Sequence, residues 1–174
     1  MEPLSLMQRL LALPVVDRTR RNHGLEHATI TLLSQKHRGL SMVGRSTPNG
    51  FYLYGDVPTE AVAEAAQAAL ARMRAGERHL AIHPNCGTNF VTAGLAAALA
   101  AFLGFVGARD WRARAERLPI VAAFATVALI LAQPLGLTLQ RDVTTSGEMG
   151  TLEIAGLERR EQAGLPVHFV ATRG

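Results

Sequence analysis

Gly87–Ala108, GTNFVTAGLAAALAAFLGFVGA, and Leu118–Gln140, LPIVAAFATVALILAQPLGLTLQ, are runs of 22 and 23 residues without a charged side chain. A helix rises about 1.5 Å per residue and a bilayer core is about 30 Å thick, so about 20 apolar residues cross it. Both runs meet that length, which predicts an integral membrane protein with two spans. From Ala108, the last residue of the first run, ARDWRARAER makes a loop of about ten residues carrying Arg109, Arg112, Arg114 and Arg117. So short a link predicts an antiparallel helical hairpin. In the first span Gly94 with Ala98, Ala97 with Ala101, and Gly104 with Ala108 recur at a spacing that lets backbones approach closely, a face suited to a second copy of the chain. Pro134 is expected to kink or end the second span.

The rest of the composition fits. The chain has 174 residues, 48% hydrophobic and 18% charged, with a mean hydropathy of +0.14. A charged fraction below the roughly 25% of soluble domains excludes disorder, and one cysteine, Cys86, excludes an intrachain disulfide. The net charge of +4 suits anionic lipid headgroups. Nucleic acid is not expected as a partner, because the Lys and Arg residues are scattered and no aromatic platform is interleaved with them.

Outward from the spans, the chain reads as α+β: a small cytoplasmic helix/sheet domain joined to the two-helix membrane hairpin. The expected boundaries are an N-terminal domain over 1–86, the hairpin over 87–140 and a C-terminal tail over 141–174. Residues 3–16 read as an interfacial amphipathic helix, too short to span and without a cationic leader. Asn22 is expected to cap a helix ending at Gly39. Thr47-Pro48-Asn49-Gly50 predicts a hairpin turn between two alternating runs. Thr59 opens a second helix that Gly76 ends. HLAIHP (79–84) reads as a short strand or an extended lead into the first span. TLEIAGLERR and PVHFVAT read as two strands joined through Gly164, available to extend the first hairpin into one sheet. The Arg-rich loop favours the cytoplasmic side. Yet that orientation would export the first 88 residues, which hold ten Lys or Arg and no signal sequence. Both termini are therefore expected in the cytoplasm.

Two motifs carry chemistry. His23-Gly24-Leu25-Glu26-His27 puts two imidazoles one above the other on a helix, with Glu26 on the same side. This H-x-x-E-H order is the zinc signature of inverzincin peptidases, with the Glu as general base. His83-Pro84-Asn85-Cys86-Gly87 then supplies another imidazole and the thiol at the mouth of the first span. Two His plus a His or Cys make a zinc-type ligand set, for zinc or another divalent transition metal, with room for an activated water whose proton Glu26 would take. The expected metal ligands are His23, His27, His83 and Cys86, and the expected catalytic residue is Glu26. Asn85 either orients a ligand or serves the turn, and Thr88 and Asn89 cap the span. His37, His79 and His168 fall outside the site.

Together the motifs resemble the YqhQ-like bacterial membrane proteins, a group of unknown function described as predicted metal-dependent enzymes. Their H-G-x-E-H and later H-P-x-C-G-T-[SN]-F are matched by His23, Gly24, Glu26 and His27, and by His83, Pro84, Cys86, Gly87, Thr88, Asn89 and Phe90. Asp142-Val143-Thr144-Thr145-Ser146 is similar to a Thr-Thr segment of that group. The resemblance covers roughly residues 20–150; the chain is shorter than the larger members and the hairpin and helix within 41–82 do not align with them, which implies a compact subfamily. It implies a metal and a membrane but no substrate.

Three functions follow as expectations. The first is a metal-dependent hydrolase acting at the interface on a lipid or membrane-anchored peptide. The second is a scaffold or assembly factor whose closed metal site pins a helix to the hairpin. The third makes Cys86 a nucleophile, with His23 or His27 as its base and Asn85 orienting it.

Overall fold

A computed structural model describes residues 5–37 and 39–174. The fold is α+β, with two compact units: Met1–His83 together with Arg141–Gly174, and Pro84–Gln140.

The first unit has a four-stranded antiparallel sheet. β1 (Val43–Thr47) and β2 (Gly50–Tyr54) form the hairpin expected around Pro48-Asn49, and β3 (Glu153–Gln162) and β4 (Leu165–Arg173) form the second. The order is β1-β2-β4-β3, so the C-terminal hairpin does extend the first one, with Leu53 opposite His168 and Phe51 opposite Val170. At Gly50, with φ +143°, an added Cβ would lie 2.0 Å from the Val170 carbonyl oxygen. Only glycine lets β2 and β4 pair there.

Helices α2 (Pro14–Lys36) and α3 (Thr59–Arg74) pack on one face of this sheet. α3 buries Val62, Ala65, Ala66, Ala69, Leu70 and Met73, the spacing of an amphipathic stripe. They meet Phe51 and Leu53 of β2, Val170 of β4, and Leu25, Ala28, Leu32 and Leu33 of α2. The opposite face of the sheet carries Tyr52 beside Phe169, ring centroids 4.6 Å apart.

α2 begins earlier than its motif suggests. Pro14 occupies its first turn, where a missing N–H is harmless, and the basic run 18–21 is helical. Asn22 is therefore not a cap. It is buried in mid-helix, where Nδ2 donates to the Thr47 carbonyl at 2.8 Å and Oδ1 accepts from the Thr172 hydroxyl at 2.8 Å. One amide thus ties α2 to both hairpins. The apolar segment expected over 3–16 is broken: α1 (Leu6–Leu11) starts at a Ser5/Gln8 capping box, and residues 3 and 4 lie outside the described residues. Leu6, Met7, Leu10, Leu13 and Val15 are exposed. Of the stretch 79–84, expected as a short strand or an extended lead, residues 79–81 belong to a short 3-10 turn over Arg78–Ala81 and Ile82 is extended.

The second unit is an antiparallel pair, α4 (Gly87–Phe105) and α5 (Trp111–Leu139). These are two helices long and apolar enough to cross a membrane. α4 alone is about 28 Å long at about 1.5 Å per residue, and Leu95, Leu99, Phe102, Phe124, Leu131 and Leu135 are exposed along the pair. An added Cβ at Gly104 would lie 2.7 Å from Val121 Cγ2, and one at Gly136 would lie 3.0 Å from Asn89 Cα. The two close approaches share one antiparallel register, so glycine sets the spacing at both ends of the pair. The ten-residue loop shrinks, because Asp110 caps α5 through Ala113 N and Arg112, Arg114 and Arg117 join the helix. Arg117 donates to the Val106 carbonyl at 2.6 Å, where α4 has unpaired acceptors. Pro119 and Pro134 both sit inside α5. Pro134 does not end it; the helix runs on to Leu139 and then widens into a π-turn over Gln140–Thr144. Proline is tolerated in such apolar helices where side chains re-satisfy the freed backbone groups.

Candidate functional site

α2 carries His23 and His27 one turn apart, their ring centroids separated by 4.4 Å. The His23 Nδ1–H donates to the Thr144 carbonyl at 2.9 Å, and the His27 Nδ1–H donates to the Ala81 carbonyl at 2.7 Å. A carbonyl can only accept, so both rings, when neutral, hold their proton on Nδ1 and their lone pair on Nε2. This is how metal-ligating imidazoles are oriented by their surroundings. His83 joins the pair, its ring 5.8 Å from that of His27. Burial, and then the neighbouring His27, push the His83 pKa down, favouring the neutral ring.

Gly24 explains how those carbonyls reach the helix. A Cβ there would lie 2.2 Å from the Ser146 carbonyl oxygen and 3.2 Å from Ala81 Cβ. The segment after α5 thus lies directly on the surface of α2 at Gly24. It is fastened by Arg20, whose Nε donates to the Val143 carbonyl at 2.8 Å and whose own carbonyl accepts from Ser146 N at 2.9 Å. The Asp142–Ser146 run singled out in the sequence is this segment.

Glu26 is buried and belongs to the hairpin side. Its Oε2 accepts from the Ser46 hydroxyl, and a Cβ at Gly44 would lie 2.0 Å from its Oε1. Burial pushes its carboxyl pKa up, opposed by the Ser46 hydrogen bond and by His23. His23, Glu26, His27 and His83 thus come together in the first unit.

Cys86, Asn85, Thr88 and Asn89 belong to the second unit. Cys86 is buried and occupies the N-cap position of α4 without a side-chain cap bond. Asn89 donates to the Pro84 carbonyl at 2.8 Å and its Oδ1 accepts from Gln140 Nε2 at 3.2 Å, so it serves the turn and the helix pair. His168 is buried in β4, with Nε2 3.1 Å from the Thr59 hydroxyl.

Residues 18–157 match a family described as a domain of unknown function, DUF6391. The chain belongs to the DUF6391 family. It is also 31% identical over 166 residues to an uncharacterised protein of the cyanobacterium Picosynechococcus sp., covering 88% of this chain and 78% of that protein. No solved structure matches. The expected membership of a bacterial family of unknown function therefore stands, and DUF6391 is that family; the YqhQ-like resemblance is not confirmed by these matches. The DUF6391 match spans both histidine motifs and both long apolar helices, and its description carries no activity or metal.

Sequence reasoning missed Arg20, Gly44, Ser46 and the carbonyls of Ala81 and Thr144. Main-chain acceptors leave no trace in residue types. One signal was available: a glycine inside a helix costs about 1 kcal/mol relative to alanine, so Gly24 between His23 and Glu26 already pointed to a close approach.

Proposed function

We propose that this DUF6391 protein is a two-span membrane protein with a divalent metal centre, zinc by donor type, and hydrolytic chemistry at the membrane interface. The observation that supports it is the pair of Nδ1–H to carbonyl hydrogen bonds, which leave His23 and His27 with Nε2 lone pairs on neighbouring turns. His83 or Cys86, three residues apart in the chain, completes the set; imidazole and thiolate are the donors zinc prefers. A bound ion supplies a Lewis acid that makes water a nucleophile near neutral pH. Glu26, its carboxyl pKa pushed up by burial, is the general base in this reading. Both termini face the cytoplasm, and the substrate is a lipid or a membrane-anchored peptide.

The burial of Glu26 against Ser46 and Gly44 favours a second reading. There the metal is structural, Glu26 fastens the hairpin, and the protein is a membrane scaffold.

The test is elemental analysis of detergent-purified protein beside His23→Ala/His27→Ala. About one zinc per chain, lost in the folded double variant, supports the centre; a metal-free wild type from chelator-free preparation overturns it. Glu26→Gln separates the two readings. Hydrolysis lost with metal and fold intact marks a base, whereas lowered stability with metal retained marks a structural carboxyl. Accessibility of tags on each terminus tests the orientation.

A further inference from the structure

Within the first unit, a cavity of about 490 Å³ is walled by two short segments, 78–82 and 141–148, and by Arg20 of α2. Its basic lining is Arg20, Arg78 and Arg141, with the His79 ring beside them, against the Glu148 carboxylate. Arg20 is tied down by the carbonyls of Asp142 and Val143. Arg78 pairs with Glu148 at 2.7 Å with both side chains well exposed, and Arg141 pairs with its neighbour Asp142 at 2.7 Å, also exposed. Exposed pairs of this kind are weak and exchange readily for a better anion. Ser146 and Thr145 add polar groups to the same wall.

Three arginines lining one concavity are the chemistry of phosphate recognition, because a guanidinium presents a planar fork of donors to tetrahedral oxygens. Chain connectivity suggests where that phosphate comes from. The 78–82 wall lies a few residues before α4 begins at Gly87, and Arg141 follows directly on α5. Both walls are thus joined through a few residues of chain to the two membrane-length helices, and basic groups next to such helices meet lipid headgroups.

We propose that this cavity binds the phosphate of an anionic phospholipid headgroup. The lipid source of the phosphate rests on the two-span reading above; the phosphate site itself does not. The walls are also the segments whose Ala81 and Thr144 carbonyls hold His27 and His23, so a headgroup seated there lies one backbone away from the imidazoles. The site assigns the proposed chemistry a phosphate-bearing lipid in place of a peptide.

The experiment titrates full-length protein in a neutral detergent with dihexanoyl phosphatidylglycerol below its micelle concentration. Dihexanoyl phosphatidylcholine and inorganic phosphate are the parallel probes. Saturable phosphatidylglycerol binding is expected to weaken about tenfold or more in Arg78→Gln/Arg141→Gln, the loss of two charge-assisted contacts. It should be unchanged in Arg45→Gln/Arg160→Gln, which removes the same charge from the opposite face of the sheet. Glu148→Gln should tighten binding, a gain that damage to the fold would not produce. Equal losses in the two double variants, or no saturable binding, would overturn the site. Inorganic phosphate binding as tightly as the lipid would overturn the lipid source. Alkaline carbonate extraction of the same membranes tests the two-span reading separately: release of the protein sinks that reading, and the phosphate titration then judges the cavity alone.

Discussion

Gly24→Ala sets two effects of opposite sign against each other. In an open helix the change should stabilise by about 1 kcal/mol, because alanine loses less backbone entropy than glycine. Here the new methyl would sit 2.2 Å from the Ser146 carbonyl oxygen, at least about 1 Å inside normal contact. The methyl cannot turn away, so the 144–146 segment must lift. That disturbs the His23 bond to Thr144 and the Ser146 bond to Arg20, about 1 kcal/mol each, on top of overpacking of about 1–3 kcal/mol. The net expectation is a loss of about 2–4 kcal/mol, or a fall in Tm of roughly 4–16 °C for a chain of this size. Thermal unfolding in detergent measures it, with Gly94→Ala as control because nothing lies within 4 Å of a Cβ there. Metal content should fall with it if the carbonyls orient the ligands. A Tm for Gly24→Ala at or above wild type would refute the seating of this segment on α2.

Other expectations follow from the same packing. Asn22→Ala leaves the Thr47 carbonyl and the Thr172 hydroxyl without their amide partner, so denaturant unfolding should show a loss of about 2–4 kcal/mol; a loss below about 0.5 kcal/mol would contradict the bridging role. Burial holds the pKa of His168 below its usual 6.5. The unfolded chain therefore takes up the proton first on acidification, and the stability this residue contributes is present above about pH 6.5 and lost below it. A Tm measured from pH 7.5 to 5 should fall, and fall less in His168→Gln; identical profiles would be the contrary result. Gly104→Val should loosen the α4/α5 pair by clashing with Val121, and Val121→Ala should restore much of the lost Tm. Failure of that rescue would mean the two helices do not meet at these positions.

Local signals were legible where one stretch of chain decides its own structure. The two uncharged runs, the Pro-Asn-Gly hairpin, the alanine-rich α3 and the C-terminal hairpin all appear where apolar spacing and turn residues put them. The pairing of His23 with His27 was legible too, since it follows from helix pitch. Boundaries were less so: Pro14 starts α2 eight residues before Asn22, and Asp110 shortens the loop, because caps compete and tertiary burial chooses among them. The sequence by itself determined which segments are helix, strand or membrane-length, and which donor types are available, since those follow from periodicity and side-chain chemistry. Only the tertiary structure decided that Asn22 is a bridge, that Glu26 faces Ser46 and Gly44, and that Ala81 and Thr144 turn two imidazoles to the same tautomer. Those outcomes rest on main-chain carbonyls and close glycine approaches between distant segments, 121 residues apart for His23 and Thr144, and such groups are the same in every residue until folding brings them together.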